Sequence, residues 1–113
     1  MKMKLRLFLL PLLLAAVMTT HGQNNEIILN YIDKFKVLAI EEMQRTGVPA
    51  SIKLAQGIHE TMAGTSDLVR RSNNHFGIKC KSNWTGESVS HDDDARGECF
   101  RKYPEAYQSW KYA

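Results

Sequence analysis

A carboxyl group near the end of a helix, followed at once by small residues, can overlook open space, and Glu60 in the run HisGluThrMetAlaGlyThrSer has that setting. Such an acid can hand a proton to the leaving oxygen of a glycosidic bond if burial raises its pKa towards the working pH. The same spacing equally describes an exposed helix carboxylate, so position alone does not settle its role. A second carboxylate would stabilise the positive charge that develops on a sugar, or activate water. Asp92, Asp93 and Asp94 offer one, although three consecutive Asp also describe a solvated loop. His59, His75 and His91 with these acids prompt a test for metal. His59 and Glu60 would begin an HExxH zinc motif, but Ala63 stands where its last His belongs, and the Asp triplet lacks the spacing of a calcium loop. No metal and no cofactor are expected.

The elements that position these residues follow from periodicity. Ile27, Ile28, Tyr31, Ile32, Phe35, Leu38, Ala39 and Met43 recur at three- and four-residue steps, which predicts a helix over 25–45 with an apolar face turned to a core. Asn24 or Asn25 can cap it, and Gly47 with Pro49 ends it. Pro49 suits the first turn of a second helix, with Ser51 near its free amides; Ile52, Ala55, Ile58, His59 and Met62 share one side, and Gly64 closes it. Residues 66–71 allow one further turn, and Asn73, Asn74 and Gly77 are turn formers. Short extended segments follow at 76–79, 88–91 and 98–103, with Val89 and Phe100 the apolar members of a hairpin. Pro104 opens a last helical segment, 105–112.

The stretch 49–80, PASIKLAQGIHETMAGTSDLVRRSNNHFGIKC, resembles the start of the glucosaminidase domain of bacterial cell-wall hydrolases, glycoside hydrolase family 73, and the likeness extends over 31–110. The resemblance implies an α+β, lysozyme-like fold: N-terminal helices, a small β-hairpin lobe, and a C-terminal helical part that is incomplete here. It implies that Glu60, with Gly64 and Ser66 completing the motif, is the general acid. It points to Asp93, counted back from Gly97, as the partner carboxylate, although the family more often carries Glu there. Asn74, His75 and Phe76 match the segment lining the cleft, and Trp84 matches a family tryptophan by position; the resemblance implies that they bind substrate, although Phe76 suits a core better than a platform, Asn74 and His75 equally suit ordering the turn, and Trp84 equally suits packing on the hairpin. Family members continue beyond a segment like the final TyrProGluAlaTyrGlnSerTrp with further helices, so the chain is expected to be a truncated form.

Composition sets the compartment. Lys2, Lys4 and Arg6 followed by the apolar run 7–18 read as a secretory signal over 1–22, leaving a domain over 23–113; twelve apolar residues fall short of the roughly 20 that span a bilayer. Three of the 15 Lys and Arg lie in this leader, so the remainder is formally neutral, with twelve bases against 12 Asp and Glu. Nucleic-acid binding therefore has no electrostatic basis. Cys80 and Cys99 are the only cysteines, and an oxidising compartment favours their disulfide. The expectation is a secreted monomer of the periplasm or cell envelope, without membrane association once the leader is removed. The resemblance implies that it cleaves β-1,4 bonds of peptidoglycan glycan strands on the N-acetylglucosaminyl side. The alternatives are a non-catalytic peptidoglycan-binding remnant and a lytic transglycosylase using Glu60 without a partner carboxylate.

Overall fold

The computed structural model describes residues 24–113, and the expected leader lies outside the described residues. The chain divides into two units, Met1–Asn30 and Tyr31–Ala113. The first helix, α1 (Lys2–Thr46), contains Asn24 and Asn25 in its interior, so neither caps a helix start. Its apolar stripe is used selectively. Tyr31, Phe35 and Ala39 are buried, whereas Ile27, Ile28 and Met43 are exposed.

In the second unit the core gathers around those three buried residues. Trp110, fully buried on α4 (Ala106–Tyr112), stacks on Phe35 with centroids 5.6 Å apart. Phe76 meets the Trp110 ring edge-on at 5.0 Å. Helix α4 begins with a capping box in which the Glu105 and Gln108 side chains satisfy each other's backbone amides. Arg45 grips Glu42 at 2.6 Å and donates to the Lys111 carbonyl, which ties the end of α1 to α4.

Helix α2 (Ala50–Thr61) follows Pro49, whose carbonyl accepts from the amides of Ile52 and Lys53; Ser51 caps nothing. The buried side of α2 is only partly the expected one. Ile52 and Met62 are exposed, while Gly57 and Thr61 are buried and Leu54 and Ile58 pack on the core. The register turns because Tyr31 occupies the space above Gly57, where a Cβ would collide with its hydroxyl. After Thr61 the backbone enters the left-handed region at three consecutive residues: Met62 (φ 50), Ala63 (φ 55) and Gly64 (φ 82). Only glycine adopts this region without penalty, so the reversal is strained at two positions. Thr61 braces it, donating Oγ1–H to the Gly57 carbonyl at 2.6 Å and accepting from the Gly64 amide at 2.8 Å.

The reversal leads into α3 (Asp67–Ser72), whose first turn Ser66 caps through the Val69 amide. Strands β1 (Ser88–His91) and β2 (Glu98–Arg101) then pair antiparallel, with Val89 opposite Phe100 as the periodicity predicts. Segment 78–80 lies along the other side of β2: the Cys80 amide donates to the Cys99 carbonyl and the Arg101 amide to the Ile78 carbonyl. Cys80 and Cys99 form the expected disulfide, their Cα atoms 5.5 Å apart. The architecture is the expected α+β one, helices with a small two-stranded lobe. Among the described residues no helix is long and apolar enough to cross a membrane.

Candidate active site

Glu60 stands in the last turn of α2, two residues before the braced reversal. It borders two cavities. The smaller, about 120 Å³, lies between Glu60, Ser66, Val69, His91, Asp93 and Phe100. The larger, about 550 Å³, runs along α2 past Lys53, Gln56 and Glu60 and is walled by Phe76, Ile78 and Tyr112. Gly77, at φ +60, passes over the acid so closely that a Cβ there would sit 3.6 Å from Glu60 Oε2. Glu60 is exposed rather than buried, which departs from the protective pocket that a general acid suggests. Among the described residues no side chain donates a hydrogen bond to it, so the backbone sets its position.

The three aspartates at the hairpin tip, indistinguishable in sequence, occupy different settings. Asp92 accepts from the Gly97 amide at 2.7 Å and shapes the turn. Asp94 pairs with Lys79 at 3.3 Å on the surface. Asp93 is the one whose side of the tip borders the smaller cavity opposite Glu60. Lys79 also bonds Glu98 at 2.7 Å, and these contacts hold its ammonium above its ordinary range while Glu98 is held below its own.

The expected substrate-binding residues divide. Phe76 lines the larger cavity with one face and packs on Trp110 at its edge. Asn74 touches the smaller cavity but is 2% exposed, and its amide is consumed internally. It donates to the Ile78 and Arg101 carbonyls and accepts from the Ile78 amide, stitching the turn to β2. His75 is a core residue, packed edge-on against Phe35 at 4.7 Å. Its Nδ1 lies 2.8 Å from the Tyr31 hydroxyl. Burial lowers the His75 pKa to about 4 and raises that of Tyr31 to about 12. The imidazole is therefore neutral, and its bond to the phenol runs in the direction set by which ring nitrogen carries the proton. Trp84 borders neither cavity: its indole donates to the Glu87 carbonyl, Arg101 covers its face at 4.6 Å, and Gly86 presses beneath it. It packs the hairpin because the turn folds back onto its own ring.

Lys53, Gln56 and Lys81 escaped the sequence reading, though the spacing of Lys53, Gln56 and Glu60 at i, i+3 and i+7 on a helix was a legible signal. Among the described residues no group of three or more His, Cys, Asp or Glu is arranged to hold a metal ion.

A helical domain with a hairpin lobe, and an acid at a helix end bordering the same cavity as a carboxylate on the hairpin, defines a lysozyme-like class. Residues 36–113 match the glucosaminidase family model, described as mannosyl-glycoprotein endo-beta-N-acetylglucosaminidase. The chain belongs to that family. A peptidoglycan hydrolase from Sphingomonas sp. A1 is 34% identical with a TM-score of 0.66, the match covering 74% of this chain and 56% of that one. The catalytic domain of the autolysin Auto from Listeria monocytogenes is 26% identical (TM-score 0.61; 76% of this chain, 53% of that one). The glycoside hydrolase domain of Salmonella typhimurium FlgJ, 23% identical at a TM-score of 0.61, shares the fold over 73% of this chain and 55% of its own. The chain thus spans little more than half the length of these structures. A comparison with curated proteins gave no match.

Proposed function

We propose that the protein hydrolyses β-1,4 bonds of peptidoglycan on the N-acetylglucosaminyl side, outside the cytoplasm, with Glu60 as general acid and Asp93 as its partner. The observation that carries the reading is that Glu60 borders both the elongated cavity beside α2 and the smaller one it shares with Asp93. Family membership and the two hydrolase relatives above 25% identity support it. The glycan would lie in the larger cavity beside Phe76 and the Lys53 ammonium that caps its ring at 4.3 Å. A strand covering Glu60 would exclude water from an acid that is otherwise exposed and favour its protonated form.

Glu60 then protonates the leaving oxygen as the glycosidic bond breaks and positive charge spreads over the ring. The smaller cavity has room for a water molecule, whose share of liquid volume is about 30 Å³. Asp93 would orient that water and take its proton as it attacks the anomeric carbon. Asn74 and His75 are not assigned to substrate in this mechanism: they hold the segment that places Phe76 and Gly77.

The test is digestion of purified peptidoglycan sacculi by the exported protein, with products analysed by mass spectrometry. New reducing N-acetylglucosamine ends are expected, and Glu60→Gln should reduce their rate by about 10² to 10⁴, the usual worth of a general acid. Anhydro ends would reassign the chain as a lytic transglycosylase. Binding without new ends would leave it a peptidoglycan-binding protein.

A further inference from the structure

We infer that Lys53, helped by Lys81 at the rim, binds a carboxylate carried by the glycan, so that the larger cavity selects acidic strands over neutral ones. The inference rests on the glycan-cleaving reading above and adds a determinant of substrate choice to it.

Lys53 and Glu60 lie on the same face of α2 and border the same cavity. Seven residues separate them, which is about 10 Å along a helix axis and close to the span of two sugar rings. A strand that presents one glycosidic bond to Glu60 therefore brings a substituent on a neighbouring unit to Lys53. The ammonium is held in place: Nζ sits 4.3 Å from the centroid of Phe76, and Trp110 supports that ring from its edge. Cation–π contact of this kind fixes direction without neutralising charge.

No carboxylate among the described residues lies within ion-pair distance of Lys53. Glu42 exerts some attraction on it, but that carboxylate is engaged by both Nε and Nη2 of Arg45. Partial burial without a counter-ion destabilises a cation, and here desolvation moves the Lys53 pKa down. An anion arriving with the ligand would relieve this. A glycan of N-acetylglucosamine alone has none to offer. A muramyl strand offers one at each lactyl ether, or on the peptide attached there.

The experiment uses the full chain carrying Glu60→Gln, so that ligands are bound without being cleaved, and measures affinity by calorimetry. Three probes are compared: chitotetraose, the peptide-free tetrasaccharide of alternating N-acetylglucosamine and N-acetylmuramic acid, and its peptide-bearing counterpart. At low salt an acidic probe is expected to bind about tenfold more tightly than chitotetraose, the scale of one charge-assisted hydrogen bond. Which of the two carries the advantage identifies a lactyl or a peptide carboxylate. Adding Lys53→Gln should abolish the preference, Lys53→Arg should retain it, and Lys81→Gln should reduce it. Equal affinity for neutral and acidic probes, or a preference that survives Lys53→Gln, overturns the carboxylate site while leaving the glycan reading intact. Failure of all three probes to bind overturns both. Should Lys53→Gln melt early for want of its Phe76 contact, salt decides instead, since an acid preference unchanged at 1 M salt would not be electrostatic.

Discussion

Acidification should destabilise this protein through His75 from pH 6.5 downward, before its ordinary carboxylates begin to take up protons. The folded imidazole has its pKa lowered from 6.5 to about 4 by burial. Between those values the unfolded chain binds a proton that the folded chain refuses, so stability falls as pH drops through 6.5 and the loss is complete near 4. At 1.36 kcal/mol per pH unit the contribution is about 3 kcal/mol, a large share of the 5–15 kcal/mol that holds a typical domain together. Glu42 and Glu98, both held below their ordinary values, act in the same direction in a lower window, their contributions present above 4.5 and lost as pH falls further. The assay is denaturant unfolding at intervals from pH 7.5 to 4, comparing Tyr31→Phe with Tyr31→Phe/His75→Phe. Both lack the phenol, so neither leaves a hydroxyl stranded, and the carboxylate contributions cancel in the difference. The chain retaining His75 should lose about 3 kcal/mol more across the interval. Parallel pH profiles, within about 0.5 kcal/mol, would refute the claim that a neutral imidazole is buried there.

Gly57→Ala gains up to about 1 kcal/mol of helix propensity but drives a Cβ into the Tyr31 hydroxyl, for a net loss of about 1–2 kcal/mol. Thermal melts should show that loss shrinking in a Tyr31→Phe background, because the nearest atom is gone. Replacing Cys80 and Cys99 together by Ala opens a loop of about 20 residues and should cost about 3 kcal/mol, read as a lower denaturant midpoint with a steeper slope, because the uncross-linked unfolded chain exposes more surface. Asp93→Asn should reduce sacculus hydrolysis by about 10²-fold or more, whereas Asp94→Asn, which removes a surface ion pair, should change stability by at most about 1 kcal/mol and leave turnover alone. Equal loss from both substitutions would mean that the hairpin tip acts through its net charge.

The elements that periodicity and turn chemistry specify were legible in the chain: the hairpin register follows from Val89 and Phe100, and the final helix from Pro104 and the residues after it. The side of α2 that is buried was not legible, because it depends on Tyr31 meeting Gly57 across the fold rather than on any local pattern. His75 illustrates the same limit. Its partner, Tyr31, lies 44 residues away, and nothing near AsnAsnHisPhe distinguishes a core imidazole from one facing a sugar. Trp84 looked equally suited to stacking on substrate or on the hairpin, and Gly86 with Arg101 gives the second outcome. The Asp triplet shows sequence running out in another way. Three identical side chains receive different surroundings only once the tip folds, when the Gly97 amide engages Asp92 and Lys79 engages Asp94.

The position of the acid raises the question of what holds it, since no side chain among the described residues grips Glu60. The answer lies in the residues that follow. Left-handed backbone at Met62 and Ala63 costs on the order of 1–2 kcal/mol each, and a helix end free to choose would relax by fraying, carrying Glu60 with it. Opposing that are the two hydrogen bonds of Thr61, the Ala63 amide on the Ile58 carbonyl, and the Ser66 amide on the Thr61 carbonyl. At about 1 kcal/mol each these roughly offset the strain. The margin comes from Tyr31, buried with its ring against Gly64 and its hydroxyl against Gly57, so that the last turn of α2 is fastened at both ends by one side chain. Tyr31 is held in turn by His75, from the segment that delivers Gly77 over the carboxylate and Phe76 to the cavity wall. The acid and the wall it faces therefore share one support: a disturbance at the Tyr31–His75 contact would displace both together.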